Sequence, residues 1–378
     1  MFKLKEYDFK RYNISLILLA LVLGVIGAYL IKQVQVEDEN LFTRHLMGLF
    51  GGFLLAGIVS IIDYHFICKF YIALYFLNIG LLLLVKVPGV GVTMNHSQRW
   101  INLIFFQFQP SELSKIIMIL FMAKFFTVVR QRLNTAIVII ISIVIMAVPT
   151  YFIATQPNLS TSLVMLFIFV MMIFSAGLSY KIIIPIVALG IPSFIGLFWY
   201  IQQDYQGLLT HYQQGRVLSI LNPELYPETI YQQVNSIQAI GSGQLYGKLL
   251  SDTAVGLRGY KSVPISESDF IFSVVGEELG FIGSCLIITL FAVLISKCLL
   301  TAKKAPDYLG TLIAIGIASM FMFQVFVNVG VATSILPNTG IPLPFLSSGL
   351  SSLVSSMIAI GILLNIRLQR KKVRGYTI

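Results

Sequence analysis

The chain is 378 residues long and carries a formal net charge of +10, yet 57% of its residues are hydrophobic and only 11% are charged. Soluble globular domains carry roughly 25% charged residues, so this composition excludes an ordinary water-soluble fold. In so apolar a chain the positive charge indicates contact with the anionic head groups of membrane lipids, and no nucleic-acid partner is expected.

Apolar windows of about twenty residues recur along almost the whole chain, and that is the length a helix needs to cross a bilayer. They predict an all-α, polytopic membrane protein with about ten transmembrane helices and one long extracytoplasmic loop, 202–268, in a single membrane domain over 1–378. The predicted spans are 13–31, 45–62, 67–85, 110–128, 135–153, 159–176, 180–201, 269–296, 308–330 and 346–366.

The basic residues predict how these spans are oriented. An even number of spans puts both termini on one side, and both tails are basic, with the sequences KLKEYDFKR and RLQRKKVR. Threading the chain from a cytoplasmic N-terminus places about twice as many Lys and Arg residues on the cytoplasmic side as outside, in agreement with the positive-inside rule. We therefore expect a multi-pass protein of a cytoplasmic membrane with both termini in the cytoplasm.

Two cations near the outer end of the fourth span are candidates for binding an anion. Arg99, next to Trp100, is either an anchor in the head-group zone or a phosphate ligand. Lys115 lies in QPSELSK, with Glu112 three residues before it on the same helix face. This pair is either a local ion pair or part of a larger site in which Lys115 also contacts an outer carboxylate.

The segment 202–268 is the one long polar insertion. Within it, YQQVNSIQAIGSG predicts a short helix that ends at Gly241 and Gly243. Together with 86–109 and 331–345, it would surround one chamber on the outer side. The cations of the insertion are either solvated charges or a rim that attracts an anionic substrate. They are Arg216, Lys248, Arg258 and Lys261.

The stretch ESDFIFSVVGEELGFIG at the start of the eighth predicted span is rich in carboxylates. Asp269 lies at the outer boundary and is a candidate catalytic group, whereas Glu277 and Glu278 lie deeper and are expected to form internal hydrogen bonds. Glu267 is expected to lie in water. Small residues form one stripe below Asp269, which either lets a second helix approach closely or makes a groove for a lipid tail. The stripe consists of Ser273, Gly276, Gly280 and Gly283.

Three segments closely resemble the SEDS family of bacterial cell-wall synthesis, the RodA, FtsW and SpoVE proteins. They are RWINLIFFQFQPSELSK, ESDFIFSVVGEELGFIG and FVNVGVATSILPNTGIPLPFLSSGLSS. The resemblance, which leans toward RodA, implies a peptidoglycan glycosyltransferase that polymerises lipid II at the outer face of the bacterial cytoplasmic membrane. It also implies a class B penicillin-binding protein, a transpeptidase, as partner.

The same resemblance implies roles for individual residues. Asp269 matches the family's essential aspartate and is expected to act as the general base on the acceptor hydroxyl. A diphosphate leaving group needs cations around it, so basic residues are expected beside this aspartate. The substrate-binding residues implied are Lys115, Arg99, Glu112, Arg216, Arg44, Gln232 and Gln233.

Two positions depart from the family's usual pattern. QPNLST has Asn158 where the family usually has Asp, and SSGLSS at 347–352 replaces SYGGSS. The family also implies a divalent cation, Mg²⁺ or Mn²⁺, although the sequence contains no dedicated ligand cage. Two other functions suit such a chain: a flippase or transporter for lipid-linked precursors, with its polar site on broken helices near the bilayer midplane, and a non-catalytic scaffold for a penicillin-binding protein.

Overall fold

The computed structural model describes residues 7–34, 40–94, 97–102, 107–156, 158–203, 205–208, 211–219, 222–249 and 257–369. Within these residues the chain forms two compact units. The first draws on Met1–Ala176, Ile287–Val325 and Pro344–Ile378, and the second on Gly177–Leu286 and Phe326–Leu343. The sequence gives no sign of this division, and the single domain over 1–378 stays a prediction.

Thirteen α-helices lie in the described part of the chain, and each of the ten predicted spans coincides with one of them. The other three are short helices in connections. The helices are α1 (Ile14–Val34), α2 (Leu41–Ile61), α3 (Tyr64–Lys69), α4 (Tyr71–Leu84), α5 (Pro110–Val128), α6 (Ala136–Ala154), α7 (Leu159–Ser175), α8 (Tyr180–Ile201), α9 (His211–Leu218), α10 (Pro227–Ser242), α11 (Ile271–Lys304), α12 (Tyr308–Ala332) and α13 (Leu350–Leu368).

Seven of the described helices are long and apolar enough to cross a membrane, namely α1, α2, α6, α8, α11, α12 and α13. Two more, α4 and α7, are apolar but have only 14 and 17 residues. Helix α5 has the length, but Glu112, Lys115 and Lys124 lie within it. The chain is thus a helical, polytopic membrane protein, as the sequence predicts, while the full number of ten crossings and their directions stay predictions.

A small antiparallel sheet precedes α5, and the all-α prediction did not include it. Its strands are β1 (Gly91–Met94), β2 (Ser97–Asn102) and β3 (Gln107–Phe108), in the order β1-β2-β3. Val92 pairs with Trp100 and Ile101 pairs with Phe108. Aromatic and β-branched residues favour strands, and the sheet carries Arg99 and Trp100 on a fixed backbone just before α5.

Helix α5 forms the centre of the first unit. It packs against α4 and α7, and α13 packs along α2 as well as against α5. The side chains of α5 are buried on nearly every face, because neighbouring helices surround it. A helix that is covered all round lies in a core, so the charged side chains in the first turns of α5 are desolvated.

In the second unit, α11 is interrupted near its start. Gly280 has φ +66° and ψ −165°, a conformation that is essentially restricted to glycine. Residues 243–249, here called the strap, run beside the break and replace the missing helical hydrogen bonds. The bonds run from Phe281 N to Gln244 O (2.8 Å), Ile282 N to Leu245 O (3.2 Å), Lys248 N to Glu277 O (2.9 Å) and Leu249 N to Glu278 O (3.0 Å).

The small-residue stripe predicted below Asp269 therefore does not continue past Gly280 as one helix face. Its glycines instead admit neighbouring chain segments. A Cβ on Gly276 would lie 2.8 Å from the side chain of Ile240 in α10, and one on Gly280 would collide with the backbone of Gly247 in the strap. Of the two alternatives, the structure supports close packing of chain segments.

A polar cluster in the first unit joins α3 to the start of α12 and the end of α13. His65 contacts Asp63 through Nδ1 (2.9 Å) and Asp307 through Nε2 (2.5 Å). The hydroxyl of Tyr64 donates to Asp307 at 2.8 Å. Gln369 donates to Asp63 at 2.6 Å. This group, named the His65 cluster, consists of Asp63, Tyr64, His65, Asp307 and Gln369.

Candidate functional site

Asp269 lies in the second unit, two residues before α11 begins, and its side chain is partly exposed. The hydroxyl of Ser268 donates to Asp269 Oδ1 at 3.2 Å. The amide of Asn328 donates to the backbone carbonyl of Asp269 at 2.9 Å. Because helix N-termini favour negative charge, this position stabilises an ionised carboxylate.

The loop after α12 completes the surroundings of Asp269. Asn328 donates at 2.7 Å to the carbonyl of Ile341 in this loop, so one amide fixes both segments. Gly340 has φ +73°, and a Cβ there would lie 3.0 Å from Asp269 Oδ2. A side chain at position 340 would therefore crowd the carboxylate. Asn328 and Gly340 both lie in the segment FVNVGVATSILPNTGIPLPFLSSGLSS, whose pattern by itself indicates no role for either residue.

Gln232 and Gln233 attach α10 to the same loop. The amide of Asn338 donates to Gln232 Oε1 at 2.6 Å. Gln233 is fully buried and donates to the carbonyls of Val331 (3.1 Å) and Leu336 (2.8 Å). These hydrogen bonds hold the loop beside Asp269. Contact of Gln232 and Gln233 with substrate stays a prediction.

Glu112 and Lys115 form the local ion pair that the spacing suggested. The ammonium of Lys115 donates to both carboxylate oxygens of Glu112 at 2.9 Å, and the two residues are 1% and 2% exposed. The hydroxyl of Ser355 in α13 donates to Glu112 Oε2 at 3.3 Å. This pair belongs to the first unit and Asp269 to the second, so contact between Lys115 and Asp269 stays a prediction.

Arg99 lies on β2 with its side chain partly buried. Its Nε donates to the backbone carbonyl of Gln156 at 3.0 Å, and Gln156 donates to the carbonyl of Leu82 at the end of α4 at 2.9 Å. Arg99 therefore ties the sheet to the segment between α6 and α7. The structure tests neither its role as a head-group anchor nor its role as a phosphate ligand.

Asn158, where the family usually has Asp, caps the N-terminus of α7. Its Oδ1 accepts a hydrogen bond from Thr161 N at 3.2 Å, and its amide donates to Ser111 at 3.4 Å. An N-cap needs only an oxygen acceptor, which Asn and Asp both supply. The cap seen here therefore does not require a charged residue at position 158.

The remaining predicted cations have different settings. Arg44 is exposed near the start of α2. Arg216 lies in α9, but its side chain is outside the described residues. Lys261 lies in the short 3₁₀ helix Gly259–Ser262, where its side chain is partly exposed. Substrate binding by Arg44 and Arg216 stays a prediction.

Lys248 and Arg258 are partners of buried carboxylates and not solvated charges. Lys248 Nζ donates to Glu277 Oε1 at 2.6 Å, and Arg258 Nε donates to Glu278 Oε1 at 3.0 Å. Glu277 also accepts from the backbone amides of Gly259 (2.9 Å) and Tyr260 (2.8 Å). The expected internal bonding of both glutamates is confirmed, and the interpretation of Lys248 and Arg258 as solvated charges is wrong, because each cation pairs with a buried carboxylate.

Glu267, expected in water, is partly buried. Burial raises the pKa of its carboxyl, and the negative charge of Asp269 raises it further, while a backbone hydrogen bond opposes both. The raised pKa of Glu267 shows that a second negative charge beside Asp269 is disfavoured.

A resident metal ion is not indicated by the described residues. No three or more His, Cys, Asp or Glu side chains among them are grouped so as to hold a metal ion. The described residues around Asp269 offer its own carboxylate and the carboxyl of Glu267, with serine and asparagine partners, and this set does not fit a dedicated Mg²⁺ or Mn²⁺ cage. The divalent cation stays a prediction, and no chemical step below depends on it.

Comparison with known proteins identifies the family. The sequence profile of the FtsW/RodA/SpoVE family, described as cell cycle protein, matches residues 10–372. The chain belongs to this family. Stage V sporulation protein E of Bacillus subtilis is 36% identical to it over 358 residues, covering 92% of this chain and 94% of that protein. Peptidoglycan glycosyltransferase MrdB of Escherichia coli K12 is 33% identical over 370 residues, covering 97% and 96%.

Two solved structures share the fold of this chain. A chain of a peptidoglycan synthase complex that coordinates polymerization and crosslinking superposes with a TM-score of 0.77 at 27% identity, covering 94% of this chain and 97% of that chain. RodA of Thermus thermophilus superposes with a TM-score of 0.66 at 25% identity, covering 96% of each chain. With relatives named as glycosyltransferases over nearly its full length, the chain is a glycosyltransferase of the cytoplasmic membrane.

Proposed function

We propose that this peptidoglycan glycosyltransferase polymerises lipid II into glycan strands at the outer face of the cytoplasmic membrane, with Asp269 as the general base. The observation that carries the proposal is the setting of Asp269. Asp269 is partly exposed at the start of α11. The hydroxyl of Ser268 donates to its carboxylate, and the amide of Asn328 donates to its backbone carbonyl. Family relatives that are named peptidoglycan glycosyltransferases support the substrate class.

The reaction joins two lipid-linked sugars. The 4-hydroxyl oxygen of the acceptor attacks the anomeric carbon of the donor, and Asp269 takes the hydroxyl proton. The bond from that carbon to the diphosphate breaks, and the polyprenyl diphosphate leaves with the electron pair. Because the leaving group is already stable as an anion, one carboxylate suffices, unlike the paired carboxylates of glycoside hydrolases.

Cations complete the proposed mechanism by stabilising the departing diphosphate. Arg99 and Lys115 are the first candidates, with Arg44 and Arg216 as further ones. Lys115 forms an ion pair with Glu112. Any stabilisation of the diphosphate by Lys115 would therefore come from the intact pair and not from an isolated ammonium. Arg99 keeps its charge at any working pH and presents a planar set of donors suited to phosphate.

The test of the base is polymerisation of lipid II by purified Asp269→Asn protein in the presence of its cognate partner. Asn preserves shape and removes proton acceptance, so lipid II binding should persist while the rate falls by about two to four orders of magnitude. Glu267→Gln is the matched control, a neighbouring carboxylate whose loss should leave the rate nearly unchanged. Normal polymerisation by Asp269→Asn would refute the proposed mechanism.

The cations are tested by substrate binding. Arg99→Ala should weaken lipid II binding as well as turnover, whereas Arg99→Lys, which keeps the charge without the planar donors, should fall between. Equal lipid II affinity for wild type and Arg99→Ala would contradict phosphate binding by Arg99. Its role would then be structural, through the hydrogen bond to Gln156 that anchors the sheet.

We also propose a class B penicillin-binding protein as partner. Support comes from the likeness to a chain of a peptidoglycan synthase complex that coordinates polymerization and crosslinking. Co-purification with the cognate transpeptidase tests this assembly. If the transpeptidase binds and glycan strands form equally well with Asp269→Asn in the complex, the chain is a scaffold and not the polymerase.

The proposed orientation, with both termini in the cytoplasm, is tested by cysteine labelling of intact cells. Leu225 and Lys304 are both exposed. In the predicted orientation they lie on opposite sides of the membrane, Leu225 outside and Lys304 in the cytoplasm. A reagent that does not cross the membrane should modify Leu225→Cys and spare Lys304→Cys. The reverse pattern would invert the topology and place Asp269 in the cytoplasm.

The break in α11 is the feature that most favours a transporter, because broken helices form the sites of many transporters. Here, however, the strap fills the break, and Lys248 and Arg258 pair with the glutamates beside it. The polar groups at this break thus bond to protein, as in a structural element, so glycosyl transfer remains the better-supported function.

A further inference from the structure

Helix α10 carries an exposed apolar stripe within the segment that the sequence places in water. Tyr231, Val234 and Ile237 are 53%, 41% and 44% exposed. Among the α10 residues whose side chains the structure describes, the other exposed ones are Pro227, Gln238 and Gly241, and none of these is charged. The opposite face is buried and holds Gln233 and Ser236, which bond to the chain near the end of α12. A helix face in water is usually polar or charged, so this stripe is built for another medium.

The stripe continues onto the strap. Leu245 is 48% exposed and Tyr246 is 78% exposed. The strap is hydrogen-bonded to Phe281 and Ile282 of α11, and these two side chains are themselves 65% and 51% exposed. The exposed apolar surface of the strap is therefore continuous with that of α11.

The neighbouring part of α11 identifies the medium. Phe281 and Ile282 stand near the beginning of an uncharged run of 18 residues, Leu279–Ser296, within a helix long and apolar enough to cross a membrane. A run of this length spans most of the hydrocarbon. The strap thus lies beside the first residues of this run, at an end where a spanning helix would approach the head groups.

We propose that α10 and the strap form an interfacial element whose apolar stripe contacts the acyl chains of one leaflet. Irregular backbone at membrane depth needs protein partners for its polar groups, and the hydrogen bonds to Glu277–Ile282 supply them. Tyr246, with an apolar ring and a polar hydroxyl, suits the boundary. The inference concerns the placement of this segment and does not depend on the proposed reaction.

The experiment compares Tyr246→Cys with Leu225→Cys in the full chain in lipid nanodiscs, with the exposed Cys285 changed to Ser in both. The two native side chains are 78% and 73% exposed, so they differ in the medium and not in burial by protein. Both faces of a nanodisc are open to reagent, which makes the result independent of topology. A charged maleimide should modify Leu225→Cys readily and Tyr246→Cys at least an order of magnitude more slowly.

A second measurement identifies what protects Tyr246→Cys. An environment-sensitive fluorophore attached at position 246 should be quenched by nitroxide-labelled lipids, and one at position 225 should not. Equal labelling at the two positions would overturn the proposal. Protection without quenching would also overturn it, since protein would then be the cover. If Tyr246→Cys unfolds, Val234→Cys on α10 carries the same pair of measurements.

Discussion

The ammonium nitrogen of Lys115 lies 2.9 Å from each carboxylate oxygen of Glu112, and both residues are almost completely buried. The two side chains belong to one turn of α5 and neutralise each other in the core of the first unit. A buried pair of this kind is costly to break from one side, because the remaining charge has no water around it.

Replacing one member of this pair should therefore destabilise the protein more than replacing both. Lys115→Met or Glu112→Gln should each lower the free energy of unfolding by roughly 3–5 kcal/mol, whereas the double variant should recover much of that loss. Thermal unfolding in detergent measures the three variants. Additive losses in the double variant would show that the two charges do not depend on each other.

Glu277 should prove structural. It accepts hydrogen bonds from Lys248, Ser242 and two backbone amides and has no exposed surface. Glu277→Ala should cost roughly 3–5 kcal/mol, as for other buried ion pairs, and lower the yield of folded protein. Glu267→Ala, which removes a partly exposed carboxylate, should leave the melting temperature nearly unchanged, so equal stability of the two variants would contradict the assignment.

Gly280 should not tolerate a side chain. Its φ of +66° is strained for other residues, and a Cβ would meet the backbone of Leu245, Tyr246 and Gly247. Gly280→Ala should therefore cost at least about 1–3 kcal/mol and loosen the strap, which hydrogen exchange of the Phe281 amide would report. Gly241→Ala is the control: nothing lies within 4 Å of its added Cβ, and alanine in a helix is favoured by up to about 1 kcal/mol. A stable Gly280→Ala protein would show that the break is dispensable.

The His65 cluster should make stability depend on pH. Burial alone would lower the pKa of His65 from 6.5, but its hydrogen bonds to Asp307 and Asp63 raise it. Burial alone would raise the pKa values of Asp63 and Asp307 from 3.8. The hydrogen bonds that each carboxylate accepts, including those from His65, outweigh burial and lower both pKa values. The contribution of His65 to the free energy of unfolding is complete below its ordinary pKa and is lost as the pH rises through its raised pKa in the fold. The contribution of the two aspartates is complete above their ordinary pKa and is lost as the pH falls through their lowered pKa values.

The cluster should accordingly stabilise the first unit most between pH 3.8 and pH 6.5. The difference in melting temperature between wild type and His65→Gln should be larger near about pH 6 than near about pH 9, because the protonated imidazole that attracts both aspartates is lost as the pH rises through its raised pKa. Taking the difference cancels groups that titrate in both proteins. A difference that does not change with pH would mean that His65 is neutral in the fold.

The sequence by itself determined the helices and the local pairing of Glu112 with Lys115. Long uncharged segments have no stable alternative to helix in a bilayer, because every backbone polar group must bond within the segment. All ten predicted segments accordingly coincide with helices. The spacing of Glu112 and Lys115 places them on one helix face whatever the rest of the fold does.

Only the tertiary structure decided where Lys248 and Arg258 point. They lie 29 and 20 residues from their partners Glu277 and Glu278, and neither spacing has a local rule. Lys248 belongs to the strap, which runs beside the break at Gly280. Arg258 lies outside the strap, and its Nη2 donates to the backbone carbonyl of Lys248 at 2.6 Å. A helical wheel assumes an unbroken helix, so it could not show that the small residues of α11 receive a second backbone segment. Glycine can adopt either the helical conformation or the positive-φ conformation seen at Gly280, and the packing of the second unit selects the positive-φ conformation.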